Sequence, residues 1–431
     1  MATRLKDYII KNKVFTFLCL YLLILFVFGL CVTPFGQILD GLWTIFKTPD
    51  ILITEYFELA SVGAAFVNSA LLSFVMMMLI KWCKVPFNGT TIAVVGIVSG
   101  FALFGKNLLN VWPIIGGAFL YAKLRGEKFG KYVHTAIFGT TLSPVVSELF
   151  THAGWSLGLA IPIAILVGLA LGFFLVPIAN MTTNIHQGYV LYNTGIAAGC
   201  LLVLAVGIMY VLGFEFTTAR FYGNEHTLLM LIFMLALSAA MIMVGSIMRK
   251  DGFKKGILIS KYSGRAVTDY VVREGLSATL VNMGLLGIMC TLYVYFVGAP
   301  LNGITVGAIL TVVTFGAYGK NARNVSYILI GGLIGHFAGF WNFATDGGAI
   351  AGILFATGMA PIGGQYGWFW GILSGFIHVF VVKNAAKLHA GLTLYSNGFA
   401  EMFDAIILLP VIEGLKGVWH NLRRKKEDEE E

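Results

Sequence analysis

Apolar residues in this chain come in long unbroken runs, separated by short polar stretches. The runs fall near 14–33, 62–80, 90–104, 108–122, 132–149, 155–178 and 189–213, and again near 226–248, 275–298, 303–317, 324–341, 347–362, 367–382 and 396–413. About 20 apolar residues suffice to cross a bilayer as a helix, and most of these runs approach that length. The pattern predicts an all-α integral membrane protein with about 10–14 transmembrane helices. The runs 90–104 and 108–122, like 303–317 after them, are short for a hydrocarbon core of about 30 Å at about 1.5 Å per residue.

The second half repeats the first. Thr54-Glu55-Tyr56 recurs as Thr268-Asp269-Tyr270, Val67-Asn68 as Val281-Asn282 and Gly105-Lys106-Asn107 as Gly319-Lys320-Asn321. Between 88 and 111, 10 of 24 positions are identical to those 214 residues later. Further on the offset becomes 203: His186-x-Gly188 and Leu191-Tyr192 return as His389-x-Gly391 and Leu394-Tyr395. The expected organisation is a first transmembrane repeat over 1–215, a second over 225–415, and a charged tail over 416–431. A duplicated membrane unit of this size is the plan of many secondary transporters.

Composition supports the membrane reading and removes others. Apolar types make up 58% of the 431 residues and charged types only 12%, too few to solvate the surface of a water-soluble protein. The net charge of +8 is carried in short clusters between the apolar runs, which fits positive loops on the cytoplasmic side better than a nucleic-acid surface. With the N-terminus inside, 24 of the 29 basic residues fall in inside segments; Lys47, Lys106, Arg220, Lys383 and Lys387 remain outside. On this assignment 34–61 faces out while its counterpart 249–273 faces in, so the second copy is inverted. Both termini are expected in the cytoplasm and the chain in the cell membrane. The first apolar run is too long for a signal peptide and lacks a small-residue cleavage site, so it is expected to be a retained anchor.

The candidate chemistry lies where polar residues interrupt apolar sequence in both copies. Phe104-Gly105-Lys106-Asn107 and Tyr318-Gly319-Lys320-Asn321 join the short apolar pairs. Either each pair spans fully and the lysines end in headgroups on opposite faces, or each is a re-entrant hairpin with its tip at depth. In the second case Lys106, Asn107, Lys320 and Asn321, with Asn110 and Asn324 one turn on, offer donors to an anionic or carbonyl-bearing solute. His186 with Tyr192, and His389 with Tyr395, form a second matched set of solute-binding candidates, competing with a capping or interface role. Asn68 and Asn282 are read as either glue between helices or part of the site. Glu148, Glu401 and Asp404 are ionisable groups within apolar runs and hence candidates for coupling. Glu401 and Asp404 are spaced i, i+3, on one helix face, and no carboxylate stands at the matching Ala198 and Leu201; structural pairing with Lys383 or Lys387 is the competing reading.

The sequence holds no metal-binding cluster and no phosphate loop, so no cofactor and no metal is expected. Gly154-Trp155-Ser156-Leu157-Gly158 matches a nucleophile-elbow pattern but lacks the strand that chemistry needs. Cys19, Cys31, Cys83, Cys200 and Cys290 show no paired spacing and are read as packing residues. Gly168/Gly172 and Gly371/Gly375 read as close helix crossings.

The two-copy layout, with Phe87-Asn88-Gly89 and Leu301-Asn302-Gly303 each followed by a GKN tip, resembles an uncharacterised bacterial polytopic membrane family built from two copies of a domain of unknown function. Asn302-Gly303-Ile304-Thr305-Val306-Gly307 is also similar to a turn of urea transporters, which implies inverted repeats with re-entrant segments around a midplane pore. Asn88 to Ala93 lacks the final Gly of that turn, and the tip lysines depart from a site made for a neutral solute.

The expected function is a membrane transporter or channel for a small polar solute, anions included, bound near the midplane between inverted repeats. The expected partners are membrane lipid and the solute, with no nucleic acid; a homo-oligomer is left open. The chain is expected not to be an enzyme. The alternatives are an intramembrane enzyme acting on lipid, with His186, His389 and Glu401 as acid/base groups, and a membrane scaffold.

Overall fold

The computed structural model describes residues 12–50, 54–152, 154–216, 222–339 and 347–430. The basic cluster at Arg4, Lys6 and Lys11, and Arg220, lie outside them. Nine helices in the first half have nine counterparts in the second, in the same order, among the described residues. They are α1 (Lys13–Val32), α2 (Phe35–Lys47), α3 (Val62–Trp82), α4 (Gly89–Phe101), α5 (Trp112–Leu124), α6 (Val133–Gly139), α7 (Ser143–Phe150), α8 (Leu157–His186) and α9 (Asn193–Val211). Their counterparts are α10 (Thr227–Met248), α11 (Gly252–Leu258), α12 (Leu276–Phe296), α13 (Gly303–Phe315), α14 (Ala322–Ala338), α15 (Gly347–Ala356), α16 (Ala360–Tyr366), α17 (Trp368–Leu388) and α18 (Ser396–Glu430). Short helical turns at Tyr56–Leu59 and Tyr270–Glu274 precede α3 and α12.

Seven of these helices (α1, α3, α8, α9, α10, α12 and α17) are long and apolar enough to cross a membrane. Large apolar side chains point outward from α1 (Leu20, Leu23, Ile24, Val27) and α10 (Leu228, Ile232, Met243, Ile247), a surface that suits lipid and not water. The chain is therefore a multi-pass helical membrane protein. Two of the apolar runs are not the single passes that their length suggests. The run 132–149 breaks into α6, a 3-10 turn at Thr140–Leu142 and α7, and 347–362 breaks into α15, a 3-10 turn at Thr357–Met359 and α16. Pro144 and Pro361 at the starts of α7 and α16 fix the breaks, because proline has no N–H to continue the helix. The tail does not begin a separate segment: α18 continues to Glu430.

The centre of the molecule is the crossing of α4 and α13. Every residue of α13, and all of α4 but Thr90, is buried, as expected of helices apolar all round. They run antiparallel. A Cβ on Gly96 would lie 2.1 Å from Thr314 Oγ1, and one on Gly100 2.3 Å from the Gly307 carbonyl, so the glycines let the backbones touch. Each start is capped twice. Asn88 and Asn302 accept from the first-turn amides of their own helices, satisfying donors that a helix start leaves free. The acids of the repeated TEY/TDY motif then reach across: Glu55 Oε1 accepts from Gly303 N at 2.8 Å and Asp269 Oδ2 from Thr90 N at 3.3 Å.

The GxxxG glycines mark the outer crossings. A Cβ on Gly172 would meet the Ile114 carbonyl at 2.0 Å, and one on Gly375 the Ile328 carbonyl at 2.2 Å, so α8 lies on α5 and α17 on α14. The described cysteines are all free. Leu157–His186 follows Ser156 with no strand before it, so the GxSxG match has no elbow geometry.

Candidate functional site

Lys106 and Lys320 are both 0% exposed, so neither tip is a free polar loop in headgroups or solvent. The backbone of each tip is pinned from below. Asn68 Nδ2 donates to the carbonyls of Ala102 (2.8 Å) and Lys106 (2.7 Å), and Asn282 Nδ2 to those of Gly316 (2.8 Å) and Lys320 (2.9 Å). These asparagines do join helices, and they do so by satisfying carbonyls that the turn leaves open. Gly319 takes a φ of +88°, a conformation that favours glycine.

The remaining tip asparagines are consumed in capping. Asn107 and Asn110 exchange bonds between each side-chain oxygen and the other's backbone N–H (3.0 and 3.1 Å), and Asn321 and Asn324 do the same (2.9 and 3.0 Å). Their Nδ2 groups also have partners. In the first copy both donate to Asp50 Oδ2, at 3.1 and 2.7 Å; in the second Asn321 donates to Tyr262 O and Asn324 to Ser263 O. Asp50, which the sequence reading did not single out, collects four donors: Tyr56 Oη (2.5 Å), Asn107, Asn110 and Ser147 Oγ (2.7 Å). No repeat pattern points to it, since backbone carbonyls do its work in the second copy.

The lysines reach across the repeat boundary. Lys106 Nζ donates to Tyr395 Oη at 2.6 Å and sits 4.5 Å from that ring's centre. Lys320 Nζ donates to Tyr192 Oη at 2.5 Å and to Thr357 Oγ1 at 2.6 Å, 4.6 Å from the Tyr192 ring centre. The loops carrying the tyrosines are held by the broken helices of the opposite copy. Leu394 N and Tyr395 N donate to Thr141 O and Oγ1, and Leu191 N donates to Gly358 O. Each copy thus supplies a lysine, a tyrosine and a helix break to a shared centre.

A cavity of about 190 Å³ opens there, lined by residues of both copies, among them Thr90, Ile97, His134, Tyr192, Phe315 and Tyr395. His134 Nε2 is buried without a partner. Past the two tyrosines a second space of about 10 Å³ lies among Phe101, Phe355, Leu394 and Asn397, about the room one water needs. Phe101 stacks on Phe355 with centroids 5.0 Å apart in the wall of the second space, and Ile97, Tyr192 and Tyr395 line both spaces. Lys106 and Lys320 do not line the cavity; they stand behind its tyrosines.

The histidines hold loops. His186 Nδ1 accepts from Gly188 N and Val190 N, and Nε2 meets Asn193 Oδ1 at 2.9 Å. His389 Nε2 meets Ser396 Oγ at 3.0 Å. Glu148 is buried on α7, one residue past the Ser147 that bonds Asp50. Asp404 pairs with His378, a residue absent from the sequence reading: Oδ2 lies 2.6 Å from Nδ1. Glu401 is 0% exposed and neither carboxylate oxygen has a hydrogen-bond partner. Among the described residues no cluster suited to a metal ion is found.

The family model for a protein of unknown function, DUF1576, matches the chain twice, over residues 35–211 and 248–414. The chain belongs to that family and carries two copies of its domain, as the repeat in the sequence implied. No curated protein and no solved structure matches the chain.

Proposed function

We propose that this protein is a transporter or channel that passes a small polar solute, anions included, through the centre shared by its two copies, and that it is not an enzyme. The observation that carries this is the pairing of each buried lysine with a tyrosine of the opposite copy at the cavity wall. A phenol oxygen that accepts from an ammonium keeps its own hydrogen to donate, and the neighbouring charge makes it a stronger donor. Two such hydroxyls on the tyrosines that wall one cavity suit a solute bearing acceptor oxygens or a negative charge. The water-sized space beyond them, walled by Phe101 and Phe355, supports a narrow path.

Inverted repeats are part of the proposal. The antiparallel crossing of α4 and α13 at matched positions supports a two-fold axis perpendicular to both helices, and hence in the membrane plane if they cross it. Re-entrant hairpins fit the 13-residue lengths of α4, α5 and α13, about 20 Å at 1.5 Å per residue and short of a full span. The broken helices fit the transporter pattern of irregular backbone confined to a protein-lined cavity. On the same reading the protein sits in the cell membrane with both termini cytoplasmic. A reporter inserted within 250–262 is then expected on the cytoplasmic side; export of that reporter overturns the topology.

The functional test is a thermal-shift screen of nitrate, formate, urea and glycine on the detergent-solubilised protein, followed by flux of any hit in liposomes. A ligand that binds the native state raises its apparent stability, and at least one acceptor-bearing solute is expected to do so. No stabilisation and no flux with any of them overturns the reading. Turnover of a lipid instead would favour an intramembrane enzyme, although the ring nitrogens of His186 are both engaged in the loop it folds.

A further inference from the structure

The two spaces beside the tyrosines are counterparts under the repeat. Phe315 and Leu191, which line the larger, correspond to Phe101 and Leu394, which line the smaller, at the offsets of 214 and 203. Phe138 of the larger corresponds to Phe355 of the smaller at an offset of 217, which also relates Pro144 to Pro361. The backbone keeps this register: Leu394 N donates to Thr141 O and Leu191 N to Gly358 O, and 358 − 141 is again 217. Tyr192 and Tyr395, themselves a matched pair, line both spaces. Along α4 the spaces follow one another, the larger beside Thr90, Ala93 and Ile97 and the smaller beside Ile97 and Phe101.

Side-chain bulk predicts the opposite order of size. Where His134, Thr135 and Ala93 line the larger space, the second copy has Ala351, Gly352 and Gly307. Ile304 in place of Thr90 is the one clear gain in bulk. The smaller residues should leave more room, yet the first space holds about 190 Å³ and the second about 10 Å³. The difference therefore lies in how the elements are placed. The aromatic pairs show it directly: Phe101 and Phe355 have centroids 5.0 Å apart and planes 23° from parallel, whereas Phe315 and Phe138 are 6.3 Å apart and inclined at 42°.

Resting on the transport reading and its inverted repeats, we propose that the protein is an alternating-access carrier and not a fixed channel, with one solute site at Ile97, Tyr192 and Tyr395 that opens to either space in turn. Each copy holds the elements that the other has in a different placement. Exchanging the two placements gives a second state of similar packing, in which Phe138 closes on Phe315 and Phe101 parts from Phe355. In that state the space beside Asn397 is the wide one. On the proposed topology the present state opens to the cytoplasm, because α4 starts just after the inside segment 81–84.

The test needs no solute. Asn397→Cys places a thiol in the lining of the smaller space, whose room for about one water excludes a maleimide. The detergent-solubilised full-length protein is treated with N-ethylmaleimide, and modification of residue 397 is followed by mass spectrometry. The five native cysteines line neither space and serve as the internal reference. The rate at 397 then follows the population of the second state. Phe138→Ala lies across the tyrosines from the thiol and removes a ring contact that the second state draws tighter. It is expected to slow modification at 397 by up to about tenfold, the most that one aromatic pair contact is worth. No modification at 397 in the folded protein, or a rate that Phe138→Ala leaves unchanged, overturns the carrier and leaves a fixed channel. If Phe138→Ala does not fold, Phe138→Leu keeps the bulk, loses the ring and carries the same expectation. Failure of the solute screen with the labelling response intact removes the solute class alone; a permeant solute with no labelling response removes the alternation alone. For a screened solute that crosses liposomes, preloading with it is expected to speed uptake of its labelled form, and equal uptake into loaded and empty liposomes overturns the carrier.

Discussion

Asp50→Ala is expected to lower the stability of the solubilised protein by several kcal/mol, since each buried donor left without an acceptor costs about 1–3 kcal/mol. The Asp50 carboxylate is 0% exposed and accepts from Tyr56, Asn107, Asn110 and Ser147. Alanine leaves those donors facing a void, where each unsatisfied group keeps its desolvation penalty. The same carboxylate joins the segment before α3 to the first tip and to α7, so the loss falls on the tip geometry as well as on the fold. Asp50→Asn keeps an acceptor oxygen but places an amide among donors, and an intermediate loss is expected. Asp40, exposed on α2, is the control, and its alanine variant is expected to match wild type. Thermal unfolding of the three variants in detergent decides the matter; an Asp50→Ala midpoint equal to wild type removes Asp50 from its place as the anchor.

Lys106→Met is expected to abolish solute binding and flux while leaving expression, membrane insertion and unfolding temperature close to wild type. The tip backbone should survive because Asn68 holds the Lys106 carbonyl and not its side chain, and methionine fills most of the volume of the aliphatic stem. What is lost is the ammonium that polarises the Tyr395 hydroxyl at 2.6 Å. Tyr395→Phe removes the donor itself and should copy the loss. Lys106→Ala should behave likewise in flux, with a further drop in stability from the cavity it leaves. Flux in liposomes and ligand-induced thermal shift measure the two effects separately. Wild-type uptake by Lys106→Met and Lys106→Ala would remove the lysine from the path, whereas a collapse in unfolding temperature with no change in uptake would assign it a structural role alone.

How much of this was legible in the chain varies by residue. The 214-residue repeat exposed Lys106 with Lys320 and Asn68 with Asn282 as matched pairs, because residues that answer the same backbone need recur in both copies. The same logic hid Asp50 and His378. Asp50 has Gly264 at the matching offset, since the carbonyls of Tyr262 and Ser263 take the second tip's amides. His378 has Leu175, so nothing in the repeat marked it. The asparagines at the tips were legible as polar residues at depth, but not as caps: reciprocal bonds between residues three apart depend on φ and ψ that spacing alone leaves open. The broken helices look like single passes in the sequence because apolar content persists through the break, and Pro144 and Pro361 are its local marks.

By itself the sequence determined that this is a duplicated, multi-pass helical membrane protein, since run length, composition and a fixed-offset repeat follow from the cost of burying backbone and charge in lipid. The tertiary structure alone decided which groups meet. Lys106 reaches Tyr395 and Lys320 reaches Tyr192 across 289 and 128 residues, contacts that arise because α4 and α13 cross antiparallel on glycine and place each tip beside a loop of the other copy. No local pattern encodes such a crossing; it is set by which surfaces fit once the helices have formed.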